Sequence, residues 1–306
     1  MKSLFGFAFA TLLVATGCHH DSSGNDDLGI DADGFSFDTD SGQWVPTDGG
    51  PIQLLEGGVL IHDDGGTFAC YPTTCQGKLL ACGDCMDNDG DGRIDWRDPE
   101  CLGPCDNTEG PALEAGVGGV GGNSCKVDCY FDYGNGPGND DCYWDHRCDP
   151  LAPEAPLCVY DAALVGGKDC PPTVSQTCLN VCRPLTPNGC DCFGCCTFPQ
   201  IPGKFVWIGA LDTTNVGTCT FADLNDQSKC PACTPRVDCF NDCGHCELCV
   251  GKPDLPSDCL ATPTDGSTPP ARCPAGVQTC GLPGEALCPA NYYCITGCCQ
   301  QTITVL

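Results

Sequence analysis

The residues best suited to chemistry form one acidic stretch, residues 87–98. Oxygen-bearing side chains recur along it, at its first, third, fifth, ninth and twelfth positions: Asp87, Asp89, Asp91, Asp95 and Asp98. Gly92 holds the sixth position, where the chain must turn sharply, and Ile94 holds the eighth, where an apolar side chain would anchor the stretch. Calcium takes about six to eight hard oxygen ligands in a loose shell. The spacing therefore predicts a calcium-binding loop.

This spacing is that of the EF-hand loop. In this pattern Asp87, Asp89 and Asp91 are direct ligands, and Arg93 offers its backbone carbonyl. Asp95 binds directly or through water, and Asp98 closes the shell. The terminal Asp and the cysteines that replace flanking helices make the stretch resemble dockerin loops and thrombospondin type 3 calcium repeats. Such extracellular loops bind with a Kd on the order of 10⁻⁴ to 10⁻³ M. An acidic, solvated turn without metal is the alternative.

The resemblance extends to the cysteines around the loop. With Cys82 and Cys85 before it and Cys101 after it, the segment resembles one found in cysteine-rich surface lipoproteins of the myxobacterial type. The resemblance implies a surface location and calcium, but no activity.

A second cysteine pattern has the spacing of zinc or iron–sulfur ligands. It is Cys230-x2-Cys233 followed by four cysteines between Cys239 and Cys249, with His245 inside. In an exported chain disulfides are favoured over thiolate ligands, so a metal–thiolate protein is the alternative interpretation. His62 and His146 each lie beside an Asp, and we expect both to be polar surface residues rather than catalytic or metal-binding groups.

The first residues have the layout of an export signal. Lys2 precedes a short apolar run, Leu4 to Ala15, which is too short to span a membrane. It ends in Ala15-Thr16-Gly17-Cys18, which resembles the lipobox of bacterial lipoproteins. The resemblance implies lipid on Cys18 and a mature chain that begins there, and two or three acyl chains would hold it stably in a membrane. An ordinary secretory signal is the alternative.

The cysteine count supports export from a different direction. The chain has 33 cysteines in 306 residues, so lipid on Cys18 leaves an even 32 to form 16 disulfides. Leu, Ile, Val and Phe total only 60 residues, which is too few for a large apolar core in a chain of net charge −28. We therefore expect small disulfide-rich modules with short β-strands, much irregular loop and little helix.

Glycine- and proline-rich segments divide the cysteines into even groups and suggest the following organisation. Residues 1–17 are the lipoprotein signal peptide, 18–66 an acidic flexible tether with a short hairpin, 67–109 a disulfide-framed calcium-loop module, 110–124 a Gly-rich linker, 125–200 a Cys-rich module, 201–260 a Cys-rich module with short strands, 261–272 a Pro/Thr linker and 273–306 a C-terminal Cys-rich module. Strands are predicted at Ile52–Leu55 and Val59–Ile61 of the hairpin, and at Phe205–Leu211, Thr218–Phe221 and Thr302–Leu306.

The excess of acidic over basic residues, 41 against 13, argues against nucleic acid as a partner. The sequence predicts a non-enzymatic calcium-binding protein, anchored by lipid in the bacterial cell envelope at the outer membrane and facing the periplasm or exterior. Its role would be recognition, adhesion or envelope structure, with a surface protein or polysaccharide as partner. An exported hydrolase whose catalytic residues follow no known motif is the alternative.

Overall fold

The computed structural model describes residues 35–38, 43–46, 59–63, 66–113, 125–133, 141–260, 271–282 and 284–302. The predicted signal peptide, Cys18, most of the tether, the strand at 52–55 and nearly all of the two linkers lie outside these residues. Their predictions stay predictions. No helix in the described ranges has the length and apolar character needed to cross a membrane.

Strands in the described residues are short and pair only with a close neighbour along the chain. They form six antiparallel two-stranded sheets. The pairs are β1 (Phe35–Asp38) with β2 (Gln43–Pro46), β3 (Val59–Asp63) with β4 (Gly66–Cys70), β5 (Thr74–Cys75) with β6 (Lys78–Leu79), β7 (Lys126–Asp128) with β8 (Tyr143–Asp145), β9 (Cys195–Cys196) with β10 (Val206–Trp207), and β11 (Tyr292–Ile295) with β12 (Cys298–Gln301).

Helix is scarce in the same residues. It consists of α1 (Gln176–Val181), α2 (Ser257–Leu260) and single 3-10 turns at Ala81–Gly83, Asp95–Arg97 and His146–Cys148. Helix α1 begins where Ser175 Oγ accepts a hydrogen bond from Cys178 N at 3.0 Å, which satisfies one of the free N–H groups of its first turn. The predicted fold class, disulfide-rich with short strands and little helix, is confirmed.

The individual strand predictions fare unevenly. Val59–Ile61 lies in β3, which pairs with β4; the predicted partner, residues 52–55, lies outside the described residues. The stretch Phe205–Leu211 contributes only the two residues of β10. Thr218–Phe221 forms no strand, because only Thr220 pairs there, in a single bridge to Ala112. Thr302 lies just beyond β12, and residues 303–306 are outside the described chain.

All 32 cysteines after Cys18 are joined in sixteen disulfides, as their even number predicts. The first and last groups close on themselves, through Cys70–Cys85, Cys75–Cys105 and Cys82–Cys101, and through Cys273–Cys298, Cys280–Cys294 and Cys288–Cys299. The two middle groups contain eight further internal bonds, Cys125–Cys158, Cys129–Cys182, Cys142–Cys178, Cys148–Cys170, Cys190–Cys196, Cys219–Cys230, Cys243–Cys249 and Cys246–Cys259. They are joined to each other by Cys192–Cys239 and Cys195–Cys233.

The cysteine groups also pack on one another. The largest cluster of buried side chains takes residues from all four groups, including Leu102, Tyr130, Leu224 and Tyr293. The buried hydroxyl of Tyr293 donates to the carbonyl oxygen of Cys82 at 2.7 Å, across 211 residues of chain. The segment that carries the acidic loop and the C-terminal segment therefore share a packed contact.

Candidate metal centre

The loop at residues 87–98 is held on a disulfide frame. Cys85 precedes it and pairs with Cys70, and Cys101 follows it and pairs with Cys82. Ile94 is 1% exposed and packs against the Cys70–Cys85 disulfide. The apolar eighth position therefore anchors the loop, as its place in the sequence predicts.

In the first half of the loop, backbone N–H groups donate hydrogen bonds to aspartate side chains of the same loop. Asp87 accepts hydrogen bonds from Gly90 N at 2.6 Å and from Gly92 N at 2.9 Å, one on each oxygen. Gly92 has a φ of +90°, a conformation that costs other residues free energy and explains the glycine. Because each bond spans five residues or fewer, this part of the geometry follows from local sequence.

The next two aspartates repeat the arrangement. Asp89 Oδ1 accepts from Asp91 N at 3.1 Å, and Asp91 Oδ1 accepts from Arg93 N at 2.8 Å. Each leaves its second oxygen outside these bonds. Desolvation, followed by the charges of Asp91 and Asp87, raises the pKa of Asp89. Like charges held close together in this way favour a bound cation.

Asp98 closes the loop and is 2% exposed. Its Oδ1 accepts from Glu100 N at 2.8 Å, whereas its Oδ2 is buried and has no hydrogen-bond partner. Burial, then the neighbouring Glu100 carboxyl and the charge of Asp91, raise the pKa of Asp98 to about 9. At neutral pH, Asp98 therefore keeps a proton when no cation is present, and its ionised form at this buried position needs a cation as partner.

Asp95, at the ninth position, is the buried carboxylate of the loop. It is 1% exposed, and its two oxygens accept from Cys85 N at 3.1 and 3.2 Å. Burial first, and then the charges of Asp84 and Glu109, raise the pKa of Asp95. The structure thus binds the ninth-position carboxylate to the chain that enters the loop.

Glu109 is a site residue that the sequence pattern does not reveal. It is 2% exposed, and its carboxylate accepts from Asn88 N at 2.6 Å and from Asp95 N at 2.8 Å. It therefore ties the start of the loop to its end. Burial, and then the charges of Asp84 and Asp87, raise the pKa of Glu109 to about 7. Its separation from the loop in sequence leaves no local signal, since the Cys75–Cys105 disulfide and the turn that follows place it.

Asp84 is the second acidic group that the pattern omits. It accepts from Asn88 Nδ2 at 3.1 and 3.2 Å, and burial raises the pKa of Asp84 to about 6. Among the described residues, none of the salt bridges involves Asp84, Glu109 or the five aspartates of the loop. Within the described chain, the site therefore collects negative charge that no basic side chain neutralises by an ion pair.

The other candidate groups lie elsewhere. All six cysteines of the zinc-like pattern are in disulfides, and only Cys243 and Cys249 pair with each other, so none presents a thiolate in this structure. His245 is exposed and lies 2.8 Å from Asp258, Nε2 to Oδ2. The side chain of His62 is outside the described residues.

His146 departs from the expected surface position, since it is 3% exposed. Its Nδ1 lies 3.0 Å from Glu154 Oε2, and its ring packs edge-on against Trp207, with centroids 4.7 Å apart. His146 is buried because Trp207, which lies 61 positions away in the sequence, packs against it. The local sequence does not specify that contact.

Comparison of the chain with protein-family models, with curated proteins and with solved structures finds no match.

Proposed function

We propose that residues 87–98 bind one calcium ion, and that the chain is a non-enzymatic calcium-binding protein. The observation that carries this proposal is the Oδ2 atom of Asp98, which is buried without a hydrogen-bond partner at the twelfth loop position. Burying a polar oxygen without a hydrogen-bond partner lowers the free energy of unfolding. A cation would supply the missing partner.

The ligand set follows from the atoms that remain available. Asp89 and Asp91 each use one oxygen in the loop and keep the other, and Asp98 keeps its buried Oδ2. Asp87 supplies a carboxylate already oriented by two N–H groups. Arg93 would contribute its backbone carbonyl. Only oxygen donors are present, which suits calcium rather than a thiophilic metal.

Asp95 takes a supporting part in this proposal. Because both of its oxygens accept from Cys85 N, it would act through a water molecule, as ninth-position residues often do. Glu109 holds the two ends of the loop from beneath. Disulfides on both sides leave the loop little freedom to lose when the ion binds, which offsets part of the cost of ordering it.

The setting proposed for this site comes from the sequence. Lipid on Cys18 would anchor the chain in the bacterial envelope at the outer membrane, and the acidic segment before residue 67 would carry the disulfide-bonded part away from it. Recognition, adhesion or envelope structure, with a surface protein or polysaccharide as partner, is the role that fits a calcium-ordered, disulfide-bonded surface. Mass spectrometry of the mature N-terminus tests the anchor, since lipidated Cys18 has a distinctive mass.

Calcium titration by calorimetry tests the site. The double variant Asp89→Ala, Asp91→Ala should lose one calcium per chain relative to the wild type. Asp212→Ala, Asp226→Ala is the matched control, because both residues cap exposed turns by accepting from the N–H two residues ahead, at 2.7 and 2.9 Å, and the charge change is identical. An unchanged stoichiometry in the loop variant would refute the assignment.

A further inference from the structure

A cavity of about 620 Å³ lies beside the calcium loop. Its lining includes residues of the last turn of the loop and residues between 280 and 297 at the C-terminal end. Leu248 packs between Gly281 and Gly297, where added side chains would come within about 3.3 Å of it. The size falls within the range of cavities that bind small ligands, about 300 to 1,000 Å³.

Aromatic side chains with polar tips line this cavity. Trp96 comes from the calcium loop, Tyr71 from the segment before it, and Tyr292 from β11. Trp96 also packs against the hydrophobic clusters on both sides, which include Ile94 and Cys294, so its position is fixed by the fold. Tyr292 is 36% exposed. Such rings offer apolar faces together with hydrogen-bonding edges.

Most charged groups of the lining are already engaged with the protein. Lys252 Nζ donates to the carbonyl oxygens of Gly244 and His245 at 3.0 and 2.7 Å. Glu285 accepts from Leu282 N at 3.0 Å and pairs with Arg272. Asp98 belongs to the acidic loop, and the guanidinium of Arg97 lies 5.7 Å from the centre of the Trp96 ring. The lining therefore has no cluster of like charges to hold a strongly charged ligand.

Most residues of the lining lie outside regular strands. A ligand with apolar faces and many hydroxyls that both donate and accept suits a lining of aromatic rings and polar groups. A sugar ring has this combination and no net charge.

We propose that this cavity binds a neutral oligosaccharide. The inference rests on the recognition role proposed above and names its ligand class. Tyr292 would stack on a sugar ring from the C-terminal segment, and Trp96 would supply a second aromatic surface from the loop. Both residues are positioned by disulfide-bonded segments, so the site is largely formed before the ligand arrives.

The test uses the full chain in saturating calcium, with calorimetric titration of maltohexaose, cellohexaose and chitohexaose, and of hexagalacturonate as the charged comparison. At least one neutral sugar should bind, and Tyr292→Ala should weaken it about tenfold or more. Tyr160→Ala is the matched control, since Tyr160 is 40% exposed and is not among the cavity residues. It should bind like the wild type.

Three results would overturn the proposal. These are the absence of saturable binding by any neutral sugar at millimolar concentration, binding of hexagalacturonate alone, and equal losses in the two tyrosine variants. The calcium proposal is judged separately on the loop variant. If sugar binds but the loop has no calcium site, the cavity assignment stands and the calcium proposal is refuted. If calcium binds but no sugar does, the calcium proposal stands and the cavity assignment is refuted.

Discussion

Replacing Glu109 by alanine should loosen the acidic loop at residues 87–98, because one buried carboxylate bonds to its first and second halves. Its two oxygens accept from Asn88 N and Asp95 N. A hydrogen bond to a charged group is worth about 1.5 to 3 kcal/mol, so the variant loses about 3 to 6 kcal/mol of local interactions. Relief of the burial of this carboxylate and of repulsion from the nearby carboxylates returns on the order of 2 to 3 kcal/mol. The net local loss is therefore about 1 to 3 kcal/mol.

Native-state hydrogen exchange measures this loss directly at the two amides. Every 1.4 kcal/mol is about tenfold, so Glu109→Ala should speed exchange at Asn88 and Asp95 by roughly 5-fold to 150-fold in calcium-free buffer. Glu109→Gln keeps one acceptor oxygen and presents an amide to the other N–H. It should fall between the wild type and the alanine variant.

The control is Glu247→Ala, because Glu247 accepts a single backbone hydrogen bond, from Gly244 N at 2.8 Å, in another part of the chain. It should leave exchange at Asn88 and Asp95 unchanged. Wild-type exchange rates at both amides in Glu109→Ala would show that the carboxylate does not hold the loop, and would refute the reasoning.

Three further predictions follow from single contacts. Burial raises the pKa of Asp191 from 3.8 to about 6, so the folded state holds the proton more tightly than the unfolded state. The free energy of unfolding should therefore fall by about 3 kcal/mol as pH rises from about 3 to about 7, and chemical denaturation of Asp191→Asn should show a flatter profile. Gly92→Ala puts a side chain at φ +90° and should weaken calcium binding about tenfold in calorimetry, whereas Gly276→Ala, at φ +87° in open space, should not. Tyr293→Phe removes the bond to the Cys82 carbonyl and should lower the free energy of unfolding by about 1 to 3 kcal/mol in denaturant titrations, and an unchanged midpoint would contradict the role given to that contact.

The acidic site shows where prediction from sequence succeeds. The bonds that shape residues 87–93 join positions at most five apart, so the order of Asp and Gly specifies them. Ile94 is buried as its position predicts. Calcium itself stays a proposal, which the structure supports through the partnerless oxygen of Asp98.

Prediction fails for groups whose surroundings come from distant chain. His146 looks like a surface residue beside Asp145, yet Trp207 and Glu154 enclose it. The strand predicted at Thr218–Phe221 has the composition of a strand, but the fold gives it only one bridge to Ala112. In each case the partner that decides the outcome is not among the near neighbours.

The sequence by itself determined the class of this protein and the shape of its acidic loop. The chain has too few apolar residues for a large core, so it needs the cross-links that an even set of cysteines after Cys18 can form. The order of Asp and Gly residues specifies the local hydrogen bonds that shape the loop. Only the tertiary structure decided which cysteines pair, including Cys192 with Cys239, and which residues support the loop, above all Glu109. The physical reason is range, because turns depend on hydrogen bonds between near neighbours, whereas disulfide pairing, burial and carboxylate clustering depend on segments that meet only after folding.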